Sequence, residues 1–499
     1  MTTSVTRFLT FALLFSVPSH GLAEPNVGIN CCSVLKSRLR AKVLLGASAV
    51  ASVEPYWAAQ AEEMRPTCVV RPTTVEDVSI AVKTLAHGFE AGWECCKFAI
   101  RSGGHTPGAN QNNIDGGATI DLSYLNQVTP DTGCEIVSVG PGNRWEDVYK
   151  VLDPLNMTVV GGRSRTVGVG GLLLSGGMSF FSPRYGLPCD NVFNYQLVLP
   201  DGQVVEANRT SHPDLYKALK GGSNNFGVVT RLDLRAVPQG EFWGGVATYP
   251  DSALMPLLNL TYEFGRTESY DPYSQLTLDW GLFGNNSIVM TNNHYTKPIT
   301  PPVSVFGDFM PLQTKNTFRI DTMSGFAHEL GSINDNGTIR KAFATATYKN
   351  DLDMLQRFAE LSDKTMQDLK GTVDQFIASV QPFGRFIMQH SAQTGGNSLG
   401  LDADEKDRAL YCLTVAWKDE ADDEVVYAKI QQLLNQAAVQ ARSYGAFDEY
   451  VFLNYAAPWQ DVTTGYGRHN MAAMQKTSIK YDPRGIFQNA VPGGFKLFT

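Results

Sequence analysis

The residues best placed to do chemistry lie together in one stretch, Lys97–Asp121, which reads KFAIRSGGHTPGANQNNIDGGATID. A short apolar run, Phe98-Ala99-Ile100, enters Arg101-Ser102-Gly103-Gly104-His105. A polar Gly/Asn loop follows, and a second run ends at Asp121. This predicts strand, glycine loop, strand. Adjacent glycines let backbone N–H groups turn inward around an anion without Cβ clashes, while Arg101 and Ser102 add a charge and a hydroxyl, a set suited to a pyrophosphate. A Gly-Gly loop alone is also an ordinary turn. His105 is either a group that bonds a ligand or a plain polar residue of that loop.

Three further segments carry functional residue types. Gly161–Pro188, GGRSRTVGVGGLLLSGGMSFFSPRYGLP, holds glycines at 161, 162, 168, 170, 171, 176 and 177, which let backbone approach a flat ligand closely. Lys220–Thr230 reads KGGSNNFGVVT. Near the C-terminus, Glu449–Tyr455 reads EYVFLNY, and Tyr481-Asp482-Pro483 leads through Phe487 to Pro492-Gly493-Gly494-Phe495-Lys496-Leu497.

In this order the segments resemble the FAD-linked oxidases of the berberine-bridge-enzyme-like type, within the vanillyl-alcohol-oxidase superfamily that carries the PCMH-type FAD-binding domain. The resemblance implies FAD bonded covalently through His105, with Arg101, Ser102, Gly103 and Gly104 in the attachment loop. It also implies a loop along the flavin ring at Thr166, Val167, Gly168 and Gly171, and a backbone contact from Val228 to the adenine edge. Asn454 and Tyr455 are implied at the flavin ring, with the tyrosine as base. A phenol near pKa 10 is a poor base at neutral pH, so Tyr455 needs a cationic or hydrogen-bonding neighbour; otherwise it plugs an interface between domains. Val167 corresponds to a position that gates dioxygen, and a core valine reads equally well.

Two departures matter. Where the family has a Cys-Pro-Thr-Val-Gly core this chain has Ser164-Arg165-Thr166-Val167-Gly168, so a second bond through cysteine is lost and a single link through His105 is expected. Plant members place a glutamate base after a Gly-Gly; here Gly395-Gly396 is followed by Asn397-Ser398-Leu399-Gly400-Leu401, with no carboxylate. Gln389 and His390, assigned by alternation to a preceding strand, become candidate pocket residues.

The elements that position these residues suggest an α+β fold. A two-part FAD-binding domain spans 24–238 behind a signal peptide at 1–23. A substrate domain spans 239–448, and 449–499 returns to the FAD domain. Thr73 and Glu76 have capping-box spacing ahead of a helix with a Val75, Val78, Val82, Leu85 stripe. Val137–Val139 reads as a strand, Trp145–Leu152 and Pro213–Leu219 as helices, and Phe193–Leu199 with Val204-Val205 as a hairpin around Pro200-Asp201-Gly202. From about Gly240, runs at Phe242–Tyr249, Gln275–Phe283, Ser287–Tyr295, Asn316–Met323, Arg340–Tyr348 and Leu410–Trp417 read as strands. Leu352–Leu369 and Glu424–Ala441 read as helices, giving an antiparallel sheet backed by helices.

At 499 residues, 43% hydrophobic and with formal charge −8, the chain has room for two or three domains. No Lys/Arg cluster invites nucleic acid or anionic lipid. Met1–Ala23 has Arg7, an apolar run from Phe8 to Val17 and small residues at Gly21-Leu22-Ala23. That reads as a secretory signal too short to be a membrane anchor. Eight cysteines, including Cys31-Cys32 and Cys95-Cys96, show no zinc-type spacing and no metal site is expected. The resemblance favours a disulfide between the Cys31/Cys32 and Cys95/Cys96 regions. Sequons stand at Asn156, Asn208, Asn259, Asn285 and Asn336.

The expected product is therefore a secreted, monomeric FAD oxidase. It would pass hydride from a small secondary metabolite to the flavin and use O2 as acceptor. A carbohydrate oxidase of the same fold and a non-catalytic flavin- or glycan-binding protein are the alternatives. A hydrolase is disfavoured, since there is no H-E-x-x-H and no Gly-Lys dipeptide.

Overall fold

Four short strands open the fold of the computed structural model, which describes residues 30–51, 55–333, 337–401 and 406–498. They are β1 (Val43–Leu45), β2 (Cys68–Val70), β3 (Phe98–Arg101) and β4 (Ala118–Asp121), in the order β1-β2-β4-β3. β2, β4 and β3 are parallel, and Arg101 pairs in register with Asp121. The glycine loop therefore leaves from the carboxyl edge of a parallel sheet, the edge where such sheets bind ligands.

The helix Val75–Glu90 packs its Val78, Val82 and Leu85 stripe against this sheet. Its cap is Thr74 with Asp77, one residue later than the spacing of Thr73 and Glu76 suggests. The later register wins because the Asp77 carboxylate also accepts from Thr73 N at 2.9 Å and from the Lys42 ammonium.

Two disulfides, Cys31–Cys96 and Cys32–Cys68, fasten the first helix to the sheet. The first is the link between regions expected above. The second runs to β2 instead and leaves Cys95 as a free thiol. Neighbouring residues on a helix point about 100° apart, so Cys31 and Cys32 reach different partners. The signal segment and Asn336 lie outside the described residues. Asn156, Asn259 and Asn285 are exposed, whereas the Asn208 amide is tied to Asn194, Thr210 and Ser211.

A second, antiparallel sheet holds β5 (Val128–Pro130), β6 (Ile136–Val139), β7 (Met157–Val159), β8 (Val192–Val198), β9 (Val204–Asn208) and β10 (Val228–Pro238). The helices Trp145–Leu152 and Pro213–Leu219 begin and end where their periodicity places them.

The third sheet is antiparallel. It contains β11 (Phe242–Tyr249), β12 (Ser274–Phe283), β13 (Asn286–Tyr295), β14 (Lys315–Asn316), β15 (Arg319–Asp321), β16 (Arg340–Lys349), β17 (Gln375–Phe383) and β18 (Arg408–Trp417). The order is β14-β11-β13-β12-β17-β18-β16, with β15 on β11. One expected strand fails: Asn316–Met323 splits into β14 and β15, and Met323 opens a helix, Met323–Ile333. The break follows from Thr322, whose hydroxyl accepts from Gly325 N at 3.2 Å and whose carbonyl accepts from Phe326 N, starting a turn where the strand reading continues.

This sheet is buried on both faces. Leu276, Leu278 and Trp280 on β12, Phe376, Ala378 and Val380 on β17, and Leu413, Val415 and Trp417 on β18 enter one apolar core with the helices Leu254–Phe264, Leu352–Asp368 and Asp423–Ser443. The alternate residues, Gln275, Thr277 and Asp279 on β12 with Ser379 and Gln381 on β17, are polar and also buried. Burying a polar face without partners is costly, so this face must answer to something other than packing. Among the described residues no helix is long and apolar enough to cross a membrane.

Candidate active site

A cavity of about 430 Å³ lies under that polar face. Its other walls are the glycine loop (Ser102 to Pro107), the Gly161–Ser175 region, Ser223 to Val229, Phe452 to Ala456, and Gly494 with Phe495. The four segments singled out in the sequence thus converge on one space.

Gly103 and Gly168 meet back to back. A Cβ on Gly103 would sit 2.5 Å from Gly168 Cα, and a Cβ on Gly168 would sit 2.3 Å from Gly103 N. Ser102 stitches the same loops, its hydroxyl donating to Pro141 O and accepting from Gly170 N. Gly171 faces open space, with nothing within 4 Å of a Cβ built there, so a ligand can lie against its backbone. Arg101 departs from the expectation. Its side chain is 3% exposed, pairs with Asp121 and lies over the Tyr56 ring, beneath the loop and away from the cavity. It braces the cradle from below, so the anion-facing groups are backbone.

His105 lines the cavity with Nε2 3.1 Å from Thr166 Oγ1, and its ring stacks on Trp57 at 4.5 Å between centroids. Burial, then the positive charges of Lys341 and Arg144, push its pKa down to about 3, so the imidazole is neutral at physiological pH. Val167, Gly168 and Val228 also line the cavity, while Thr166 contributes through His105.

Asn454 and Tyr455 stand in a short turn, Leu453–Tyr455, on the cavity wall. The Asn454 amide spans the flavin-loop backbone, accepting from Gly177 N at 3.0 Å and donating to Leu172 O at 3.3 Å. Tyr455 has the cationic neighbour its chemistry requires. Arg163 Nη2 donates to Tyr455 Oη at 3.0 Å and to Gln381 Oε1 at 2.7 Å, and Nη1 donates to Thr277 Oγ1 at 3.3 Å. The guanidinium thereby joins the Gly161–Ser175 region, the C-terminal turn and the third sheet.

Gln389 and His390 are not on a strand. They follow the short helix Arg385–Met388; Gln389 is exposed, and neither lines the cavity. The glutamine that meets the Arg163–Tyr455 pair is Gln381, on β17. The strand that precedes Gly395 is β17, which ends at Phe383, and Gly384 with the helix Arg385–Met388 separates it from Gln389. Other residues that sequence reasoning missed are Trp57, Arg163 and Asp279. The spacing Gln275-x-Thr277-x-Asp279, polar at alternate positions among Leu276, Leu278 and Trp280, is the signal that could have found the last of these.

Asp279 is the one carboxylate among the described lining residues. It accepts from Ser379 Oγ and from Asn292 Nδ2 at 2.7 Å. Burial raises its pKa to about 6 despite these bonds and the Arg163 charge. The folded state thus holds this proton more tightly than an unfolded chain, and stability from this group is present below about pH 4 and lost as pH rises through 6. Asp279→Asn is therefore expected to be more stable than wild type at pH 7.5 by about 2–3 kcal/mol in urea unfolding, with the gap closing toward pH 4. A variant less stable at pH 7.5 contradicts this account.

Residues 66–208 match a family model described as FAD binding domain. Over 480 residues the chain is 35% identical to an FAD-dependent monooxygenase of Emericella nidulans, covering 94% of this chain and 98% of the relative. The chain belongs to the FAD-linked oxidoreductases. A second member, an FAD-dependent monooxygenase of Cercospora beticola, is 32% identical, covering 94% of this chain and 92% of its own. Among solved structures, a xylooligosaccharide oxidase from Myceliophthora thermophila superposes with TM-score 0.75 at 21% identity, covering 94% and 99% of the two chains. Berberine bridge enzyme from Eschscholzia californica gives 0.73 at 16%, covering 94% and 100%. These likenesses establish the fold. For this FAD-linked oxidoreductase the cavity fits its cofactor: a glycine cradle whose backbone faces open space at Gly171, and a neutral imidazole at one wall.

Proposed function

We propose that this chain oxidises a small organic molecule, a secondary metabolite, with FAD held covalently through His105 alone. Held there by His105, the glycine cradle and Asn454, FAD would supply two-electron oxidation at a substrate carbon, with dioxygen as the acceptor and hydrogen peroxide as its product. The observation that carries the reading is the Arg163–Tyr455 pair on the cavity wall shared by the glycine loop and the third sheet. Tyr455, once its own phenolic proton has passed to solvent, takes the substrate's O–H or N–H proton. Arg163 sets a positive charge 3.0 Å from the oxygen on which negative charge builds when the phenol gives up its own proton. Asn454 holds the flavin loop in place, and the neutral His105 keeps a nitrogen lone pair for the covalent bond.

Ser164, on the cavity wall where bicovalent members carry cysteine, supports a single link. Two disulfides near the start of the described chain support passage through an oxidising compartment, in keeping with the signal read at residues 1–23.

The names of the relatives favour a second reading, in which one oxygen atom of O2 enters the product. Anaerobic mixing with a panel of secondary metabolites and oligosaccharides tests both. A bleached flavin that regains colour in air with one peroxide per turnover supports the oxidase, and 18O from 18O2 in the product supports the monooxygenase. No bleaching by any compound in a flavin-loaded preparation counts against either.

A further inference from the structure

The polar wall of the cavity is graded along the strands, and the grading specifies what enters. Going outward on β12, Gln275, Thr277 and Asp279 come first; beyond them Gly281 pairs with Ile288 on one side and Ile377 on the other, and Phe283 ends the row at the hairpin. Opposite Asp279 on β13 stands Met290, and the helix Met323–Ile333 adds Leu330 and Ile333. The outer part of the cavity is thus largely apolar, with Gln375 opposite Phe283 and Thr414 opposite Ile377 as its polar members, and the inner part is polar.

The inner part is short of donors. Gln275 is 7% exposed, and its Oε1 has no hydrogen-bond partner; the Oδ1 of Asn292 has none either. The Asp279 carboxylate stands outward from both, since Asn292 lies opposite Thr277. Arg163, the one guanidinium on the cavity wall among the described residues, is already engaged by Thr277, Gln381 and Tyr455. Buried acceptors in such number are stabilised only when a donor arrives.

We propose that this cavity takes a molecule whose surface is mostly apolar and which carries a hydroxyl group, inserted oxygen first, and that Asp279 is the specificity-determining residue that accepts the bond from that O–H. The proposal rests on the reading of this cavity as the substrate site and names the class of substrate. A carboxylate accepting from a hydroxyl makes a charge-assisted bond, about twice as strong as a neutral one. A carbohydrate, polar on every side, would leave most of its outer hydroxyls against Ile288, Ile377 and Phe283, with Gln375 and Thr414 the polar side chains there.

The test uses two matched pairs of probes on the flavin-loaded protein: 2-naphthol with 2-methoxynaphthalene, and 4-propylphenol with 4-propylanisole. Affinity is measured by calorimetry, and placement by perturbation of the flavin spectrum. Wild type is expected to bind the hydroxyl member of at least one pair ten-fold or more tightly than its methyl ether. In Asp279→Leu the ratio should fall within three-fold, with Asp279→Asn between, both variants keeping their flavin. Wild type that binds both members equally, or binds none of the four, overturns the proposal, as does a ratio unchanged in Asp279→Leu. If both variants fail to fold, Ser379→Ala, which removes one of the carboxylate's donors, should change the wild-type ratio by three-fold or more, and an unchanged ratio overturns it. A protein that discriminates the probes but holds no flavin sinks the oxidase reading and leaves this one standing.

Discussion

His105→Ala is expected to turn a protein that stays yellow through acid precipitation into one whose pellet is colourless and whose flavin is in the supernatant. The imidazole is well placed to hold a covalent bond. It lies on the cavity wall, is fixed by Thr166 and the Trp57 ring, and burial together with Lys341 and Arg144 keeps it unprotonated. A protonated imidazole has no lone pair on either nitrogen, so the low pKa of about 3 is what makes the group usable. With serine at 164, that position offers no thiol for a second bond. The glycine cradle, Asn454 and the Val228 region are untouched by the substitution, so the native variant should still carry FAD non-covalently. Flavin that stays with the precipitated variant would place the attachment on another residue.

Tyr455→Phe is expected to slow anaerobic flavin reduction by roughly 10²–10⁴-fold with flavin content unchanged, the range general-base groups contribute. Arg163→Met should approach the same loss, because it removes the charge at the Tyr455 oxygen and also frees Gln381 and Thr277. The two defects should not add in the double variant, since both act on one proton transfer. Reduction at the wild-type rate in Tyr455→Phe would remove that residue from the chemistry. The rate would then depend on Asp279, which has a pKa of about 6 in the same cavity.

The loops that hold the cofactor were legible because glycine spacing is a local signal, and the regular strands because alternation is. β11, β12, β13, β16 and β18 fall within a residue or two of the sequence reading. β17 was missed. Its cavity-facing residues, Gln375, Ile377, Ser379 and Gln381, are mostly polar, and what makes it a strand is pairing with β12 and β18, distant in sequence. Arg101 was misread for a related reason: sequence places it beside the glycines but not on which side of the loop, and Asp121 in the parallel neighbour draws it beneath. Asp279 and Arg163, 116 positions apart in numbering, come together only when the third sheet meets the Gly161–Ser175 region, a separation no local pattern spans.

The two-sided third sheet has a consequence for how such a protein changes. Folding draws on Leu276, Leu278 and Trp280, while ligand preference draws on their immediate neighbours, so appetite and scaffold are written on interleaved positions of one strand. A combinatorial library confined to Gln275, Thr277 and Asp279 on β12 and Ile377, Ser379 and Gln381 on β17 can rewrite what the pocket admits and leave the oily interior intact.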